Sequence, residues 1–291
     1  MKKQILEVTN LTKYYGNVLG VKEVSFSLEE GEVFGFIGPN GSGKSTTIRS
    51  IMNLIEKTQG KVTFLGEELL KNKTELKKLI GYLPSEIHLY EDYTVKEMLD
   101  YHASFYQENF LNRKDELVKY FELDESKKIE NLSLGNLKKL GIVLALMHQP
   151  KLLILDEPTS GLDPIMQQKF YDLIKEEKKK GTTIFYSTHI LSEISKICDR
   201  VGIIKNGCLV AIEKMEALQK KNFLVVTIES EDAESILKEL KLKNYELENQ
   251  MLKFQNHLEM NVLLKKLTKY KINKLLIEEA TLESMFMNYY K

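Results

Sequence analysis

Residues 38–46, which read Gly-Pro-Asn-Gly-Ser-Gly-Lys-Ser-Thr, limit the possible folds of this chain more than any other stretch. An apolar run at 33–37 precedes them and a helical pattern at 47–52 follows, so the predicted order is strand, loop, helix. The spacing G-x-x-x-x-G-K-S is that of a phosphate-binding loop, in which glycines let successive backbone N–H groups surround an anion. A Gly-rich turn without a function is a weak alternative, because a strand and a helix flank the match.

Two residues of this loop would carry its chemistry. Lys44 would reach the β- and γ-phosphates of a nucleotide, and the Ser45 hydroxyl would hold Mg²⁺. The N-terminal end of the following helix would add its dipole to the anion site. The expected phosphate-binding residues are Gly38, Pro39, Asn40, Gly41, Ser42, Gly43, Lys44, Ser45 and Thr46.

Two later strands end in polar side chains. The apolar strand at 152–156 ends in Asp156 and Glu157, and His189 follows the strand at 182–188. Parallel strands present their carboxyl ends at one edge of a sheet, where ligands bind. One carboxylate could therefore join the Mg²⁺ shell while the other activates an attacking water. The alternatives are a pair of solvated acids and a structural histidine, and the shared strand-end position favours a site.

An aromatic pair lies upstream, in a predicted turn at 13–17 between strands at 5–9 and 24–28. Tyr15, beside Gly16, is better placed than Tyr14 to stack on an adenine ring. Ordinary turn packing is the alternative.

Composition restricts the partners and the compartment. Lys+Arg equals Asp+Glu at 42 each, so no net field draws the chain to nucleic acid or to an anionic membrane. Apolar runs such as 140–147 are shorter than the roughly 20 residues of a spanning helix, and residues 1–7 show no secretory signal. Cys198 and Cys208 fit a reducing cytoplasm, as buried or incidental thiols.

The chain divides into two predicted domains, 1–216 and 222–291. The first contains strands at 60–66 and 79–84 and a helical insertion at about 89–149, which opens with a capping box at 94–97. Its aromatic stripe, Tyr101, Phe105 and Tyr106, is assigned to the core. A helical segment at 213–221 leads to the second domain, whose βαββαβ order with a helix at 282–290 predicts a small α+β, ferredoxin-like fold.

The motifs of residues 5–212, taken in order, resemble those of an ATP-binding-cassette ATPase, the nucleotide-hydrolysing subunit of a membrane transporter. This resemblance implies an α/β phosphate-loop NTPase fold with a helical signature subdomain. It rests on residues 38–46, 132–136 (Leu-Ser-Leu-Gly-Asn), 152–157, 160–163 (Ser-Gly-Leu-Asp) and 189.

The resemblance also implies roles for individual residues, with ATP and Mg²⁺ as ligands. Glu157 would be the general base, and His189 would contact the γ-phosphate. A second ATPase chain, identical or different, would close the nucleotide site with Ser133 and the amides that open the helix behind it. The remaining implied assignments are Tyr15 on adenine, Ser45 and Asp156 at the metal, Gly135 and Ser85 near the nucleotide, and Asp163 between the two sites of a dimer.

Two positions depart from the family pattern. Leu134 stands where glycine is usual, which places a bulky side chain at a point of close backbone approach. Ser85 stands where a glutamine is expected to report the metal site to the membrane partner, so a shorter arm, Glu86 or water must do so. Either departure favours slow hydrolysis or pairing with a different ATPase chain.

The C-terminal segment is similar to the tails of bacterial drug-, antibiotic- and peptide-exporter ATPases. We therefore expect an exporter ATPase at the cytoplasmic face of the cell membrane, bound to a separate permease. The permease is expected to dock at 85–99, with His88, Tyr90 and Tyr93 as contacts, although rim packing explains them equally well. The alternatives are a soluble cassette switch acting on ribosomes or DNA, and a phosphate-loop kinase, which the pair Asp156 and Glu157 disfavours.

Overall fold

The structure is a computed structural model that describes residues 3–106, 110–220, 224–242, 245–256 and 258–279. These residues form two compact units, Met1–Met215 and Glu216–Lys291. Each unit has its own apolar core.

A six-stranded sheet forms the centre of the first unit. Its strand order is β10-β9-β3-β8-β7-β6, with β10 antiparallel to β9 and the other neighbouring strands parallel. Every residue of β3, β7 and β8 is buried, as expected of strands covered on both faces. The bounds are β3 Val33–Ile37, β6 Ile80–Leu83, β7 Leu152–Asp156, β8 Thr183–Thr188, β9 Arg200–Lys205 and β10 Cys208–Lys214.

A four-stranded antiparallel sheet packs against one face of the first, in the order β2-β1-β4-β5. Its apolar side chains share a core with the central sheet, in which Phe26 stacks on Phe34 and Phe185. The bounds are β1 Gln4–Tyr15, β2 Val18–Glu29, β4 Gln59–Phe64 and β5 Glu67–Glu68.

The helices of the first unit begin at recognisable caps. Thr94 and Glu97 form the predicted capping box, Ser133 caps the helix that follows it, and Asp163 caps the next helix with Pro164 in its first turn. The bounds are α1 Lys44–Ile51, α2 Thr74–Lys77, α3 Val95–Ala103, α4 Leu111–Tyr120, α5 Leu134–Leu146, α6 Pro164–Lys179 and α7 Leu191–Ile197, with a short 3₁₀ helix at Ile129–Asn131. Helix α8, Met215–Lys220, begins at the last residue of this unit.

Three local predictions were wrong. Strands β1 and β2 extend to Tyr15 and Val18, so the turn between them is tighter than predicted. Residues 213 and 214 pair with β9 rather than opening a helix. Tyr101 and Phe105, expected in the core, are 38% and 53% exposed, and they lie in a surface cluster of rings with Tyr90 and Tyr93.

The described residues of the second unit form an antiparallel sheet, in the order β12-β13-β11-β14, with helices α9 and α10 between its strands. Its described elements follow the order β-α-β-β-α-β, while the ferredoxin-like assignment stays a prediction. Residue 223, the predicted start of its first strand, and the predicted helix at 282–290 lie outside the described residues. The bounds are β11 Leu224–Glu229, α9 Ala233–Leu240, β12 Tyr245–Glu248, β13 Met251–Asn256, α10 Met260–Leu267 and β14 Lys274–Glu279.

Two further sequence expectations concern the membrane and the cysteines. Among the described residues, none of the helices has the length and apolar character needed to cross a bilayer. Cys198 is buried and Cys208 is exposed, and both are free thiols. Burial raises the pKa of the Cys198 thiol, which suppresses its reactivity.

Candidate functional site

The carboxyl ends of four parallel strands meet at one edge of the central sheet. Ile37 pairs with Thr188, Asp156 pairs with Ser187, and Leu83 pairs with Leu155. The segments that follow these strands therefore leave the sheet side by side, as parallel topology requires. They are the phosphate loop, the loop at 84–94, the segment that starts at Glu157, and His189.

The phosphate loop has the backbone that its sequence predicts. Gly43 has φ +106°, and a Cβ built on it would lie 2.6 Å from Val21 Cγ1, so only glycine fits there. The Lys44 ammonium donates to the carbonyls of Gly38 at 2.9 Å and Pro39 at 3.2 Å. The loop thus holds this cation, almost fully buried, beside its own backbone. Gly207, in the turn before β10, also donates its N–H to Ser42 O at 2.9 Å.

Glu157 lies between two other candidate residues. Its Oε1 is 3.4 Å from Lys44 Nζ, and its Oε2 is 2.9 Å from His189 Nδ1. An ionised carboxylate can only accept, so this hydrogen bond places the His189 proton on Nδ1. Three motifs that are far apart in sequence thus meet at one carboxylate.

The backbone of Glu157 is strained. Its φ is +50°, in the left-handed region that non-glycine residues rarely adopt. Its N–H donates to Ser187 O at 3.0 Å, and its carbonyl accepts from Ser160 N at 3.3 Å and from Lys138 Nζ at 3.4 Å. Strain of this kind persists where surrounding contacts hold it, and it is concentrated at functional sites.

Asp156 offers a place for a cation. The residue is fully buried, and its Oδ1 accepts from Ser187 Oγ at 2.9 Å. Its Oδ2 is buried without a hydrogen-bond partner among the described residues. An unpaired carboxylate oxygen at this depth is costly, and Mg²⁺ or its bound water is a suitable partner. The described residues contain no cluster of three or more His, Cys, Asp or Glu ligands, and a nucleotide-borne Mg²⁺ needs only one or two carboxylates.

Tyr15 lies at the rim of the phosphate loop. Its side chain is 47% exposed, and Lys13 Nζ lies 5.0 Å from its ring centroid. A Cβ built on Gly20 would lie 3.0 Å from the Tyr15 ring and 3.1 Å from the Thr46 methyl, so both side chains meet at Gly20. The ring is therefore available for stacking beside the loop.

The signature-like segment and residues 160–163 lie against each other. Ser133 caps α5 by accepting from Asn136 N at 3.3 Å, and a Cβ on Gly135 would lie 3.2 Å from Gly161 O. Asp163 caps α6 and accepts from two backbone N–H groups. Leu134 is 79% exposed, so its side chain points outward from the start of α5. Among the described contacts, neither Ser133 nor Asp163 reaches Lys44 or Glu157.

Sequence reasoning missed Lys138, a buried lysine of α5. Its ammonium donates to the backbone carbonyls of Ser85 at 3.0 Å and Glu157 at 3.4 Å. Burial lowers the pKa of Lys138, and the charges of Asp156 and Glu157 oppose that effect. Its position shortly before the apolar run at 140–147 was a weak signal.

Sequence reasoning also missed Glu193, a buried carboxylate of α7. It accepts from the hydroxyls of Thr159 and, at 3.2 Å and 3.0 Å, of Tyr171 and Tyr186. Thr159 lies two residues after Glu157, so this network supports the backbone behind the site. The only sequence signal for Glu193 was its position four residues after His189, and that signal is weak.

The sequence of this chain is similar to those of known proteins. Residues 21–160 match the family model described as ABC transporter. The chain is 41% identical over 221 residues to the bacitracin transport ATP-binding protein BcrA of Bacillus licheniformis, covering 75% of this chain and 72% of that protein. It is 39% identical over 213 residues to the linearmycin resistance ATP-binding protein LnrL of Bacillus subtilis, covering 72% of this chain and 68% of that protein.

A solved structure gives the same fold. The dimeric post-hydrolysis state of the ATP-binding cassette MJ0796, bound to ADP and Pi, has a TM-score of 0.66 and 26% identity. The likeness covers 72% of this chain and 99% of that chain. The predicted α/β phosphate-loop fold is thereby confirmed.

Proposed function

Since this chain belongs to the family of ABC transporter ATP-binding proteins and is therefore an ATPase subunit, we propose that the transporter it serves is an exporter. Two relatives support this direction, because their names state bacitracin transport and linearmycin resistance. Resistance to a toxic compound is achieved when the compound is removed from the cell.

ATP binds at the carboxyl edge of the central sheet in this proposal. The amides of the phosphate loop and the Lys44 ammonium hold the phosphates, and the Tyr15 ring stacks on the adenine. Ser45 and Asp156 would hold Mg²⁺, and the bound cation would neutralise charge on the phosphates. The unpaired Asp156 Oδ2 is the observation that favours a metal there.

Glu157 is the general base for hydrolysis. It accepts a proton from the water that attacks the γ-phosphorus, so the products are ADP and phosphate. The Nδ1–H of His189 donates to Oε2 of this carboxylate, and a hydrogen bond from His189 to a phosphate oxygen requires that Nε2 carries a proton as well. The placement of the Glu157 carboxylate within 3.4 Å of Lys44 Nζ and 2.9 Å of His189 Nδ1 is the single observation that carries this assignment.

A second ATPase chain completes each site. Ser133, Gly135 and the exposed amides that open α5 close over the phosphate of the partner chain, and Asp163 lies in the segment between the two sites. The exposure of Ser133 and Leu134 at the start of α5 and the dimeric state of the related cassette MJ0796 support this arrangement. The second chain is either identical or a different ATPase.

The membrane partner docks on the loop at 84–94 and the start of α3. This loop leaves the same sheet edge as the nucleotide site, and it carries exposed His88, Tyr90 and Tyr93. Tyr101 and Phe105 join these tyrosines in an exposed aromatic cluster. The subunit is therefore peripheral, on the cytoplasmic face of the cell membrane, bound through a separate permease.

A soluble switch acting on ribosomes or DNA is the less favoured function, because the two named relatives are transport and resistance proteins. A pulldown of the full chain from detergent-solubilised cells separates the two functions. Recovery of a membrane protein supports the transporter, and recovery of ribosomes contradicts it.

The assignment of Glu157 is tested with Glu157→Gln, which keeps the shape of the side chain and removes its basicity. We expect ATP turnover to fall to background while ATP binding persists, so that a nucleotide-bound dimer accumulates on size-exclusion chromatography. The matched control is Glu30→Gln, which changes an exposed carboxylate in the turn before β3 and is expected to keep full turnover. Unchanged turnover in Glu157→Gln would mean that another group is the base.

A further inference from the structure

The helix α5 approaches the nucleotide site through one face. Gly135 lies against Gly161, Lys138 reaches the sheet edge, and a Cβ on Gly141 would lie 2.6 Å from Ile87 and 2.8 Å from Leu83. These positions recur every three residues, so they share one side of the helix. The helix that begins at the signature-like segment is thus packed directly against the loop at 84–94.

Lys138 is the polar contact on this face. Its side chain is buried, and its ammonium bridges the carbonyl of Ser85 at 3.0 Å to the carbonyl of Glu157 at 3.4 Å. A buried ammonium is retained where it has charged or hydrogen-bonding partners, and these carbonyls supply them. Asp156 and Glu157 also lie close enough to act on its charge.

Lys138 connects the loop at 84–94 with the backbone of Glu157. The Ser85 end of this link is its backbone carbonyl, and the long arm is the Lys138 side chain. The other end of that arm holds the carbonyl of Glu157, whose φ of +50° needs support from its surroundings.

We propose that Lys138 is a positioning residue for hydrolysis, which fixes the Glu157 backbone and links it to Ser85. This inference rests on the proposed role of Glu157 as the base. In the proposed reaction Lys138 contacts neither the attacking water nor the γ-phosphorus. Its loss therefore changes the orientation of Glu157 and leaves ATP binding by the phosphate loop intact.

The test compares Lys138→Met with Lys139→Met in the full chain. Both variants remove one lysine charge from α5, but only the first removes the two contacts. Loss of an outer support of this kind lowers activity about 10- to 100-fold. We expect kcat for ATP to fall at least about tenfold in Lys138→Met, with KM and thermal midpoint close to those of the parent, and no change in Lys139→Met.

Several outcomes overturn the proposal. These are a kcat for Lys138→Met within twofold of the parent, a rise in KM that accounts for the loss, and an equal loss in Lys139→Met. If Lys138→Met does not fold, Lys138→Gln serves instead, because its shorter amide cannot span both carbonyls. It is expected to lower kcat alone, and an unchanged kcat overturns the inference.

Measuring Glu157→Gln alongside separates a failure of the general-base assignment from a failure of the positioning role of Lys138. An inactive Glu157→Gln with a fully active Lys138→Met overturns the positioning role only. A fully active Glu157→Gln overturns the general base, and the role of Lys138 falls with it.

Discussion

Replacing Glu193 with alanine is expected to lower the stability of the first unit strongly, although the described hydrogen bonds of Glu193 go to Thr159, Tyr171 and Tyr186, outside the proposed nucleotide site. The carboxylate is the acceptor for three buried hydroxyls, on Thr159, Tyr171 and Tyr186, each less than 5% exposed. In Glu193→Ala all three donors lose this acceptor and remain away from water.

The size of the effect follows from that count. A buried donor left without a partner costs about 1–3 kcal/mol, and removal of the buried charge offsets part of the sum, so we take about 1 kcal/mol for each hydroxyl. The expected loss is therefore about 3 kcal/mol in the free energy of unfolding. In a unit of this size that loss lowers the thermal midpoint by about 6–12 °C.

A double-mutant cycle with Tyr186→Phe tests the reasoning beyond the single value. In the parent, deleting the Tyr186 hydroxyl removes a made hydrogen bond and is expected to cost about 1 kcal/mol. In the Glu193→Ala background the hydroxyl is already unpaired, so its deletion is expected to recover the cost of about 1 kcal/mol assigned to it above. The coupling energy between the two sites is then about 2 kcal/mol.

Urea unfolding of the four proteins, with exposed Glu30→Ala as the control, measures these quantities. The reasoning is refuted if Glu193→Ala loses less than about 1 kcal/mol. It is equally refuted if Tyr186→Phe costs the same in both backgrounds, because the hydroxyl would then have another acceptor.

Two further predictions concern buried charge. Asp156→Asn is expected to leave the thermal midpoint of the nucleotide-free protein unchanged, because the hydrogen bond from Ser187 survives. It is expected to abolish the Mg²⁺-dependent part of the rise in midpoint that ATP causes, and a preserved Mg²⁺ effect would contradict this. Burial, with a smaller contribution from His102, lowers the pKa of His148 to about 4. The unfolded chain therefore protonates His148 more readily than the folded chain, and the free energy of unfolding falls as the pH drops below 6.5. Between pH 6.5 and 5 this group changes the free energy of unfolding by about 1.5 kcal/mol, and urea unfolding of His148→Phe at both pH values should show a pH dependence smaller by that amount; an unchanged dependence would contradict it.

The phosphate loop and the strand ends could be predicted because their information is local. Gly43 and Lys44 stand at fixed spacing in a single loop, and Asp156 and Glu157 follow a strand whose apolar sequence shows that both its faces are covered. Parallel topology then brings separate strand ends to one edge without further information. The predicted capping box at 94–97 is local in the same way, and it is confirmed.

The errors and omissions involve contacts between distant residues. The contact of Lys138 with Ser85 joins residues 53 positions apart, and nothing near either residue indicates it. Tyr101 and Phe105 follow helical spacing, which is the same for a buried stripe as for an exposed cluster. The other rings of the cluster, Tyr90 and Tyr93, come from the loop at 84–94, so periodicity alone could not decide this exposure.

The turn before β10 gives this chain a built-in attachment point for a fluorophore. Cys208 is exposed directly after Gly207, whose N–H is bonded to Ser42 O in the phosphate loop. Cys198, the other thiol of the sequence, is shielded by burial and a raised pKa. A maleimide dye added to the unmodified protein therefore labels one position beside the nucleotide, where changes in its emission report occupancy of the site without any engineered residue.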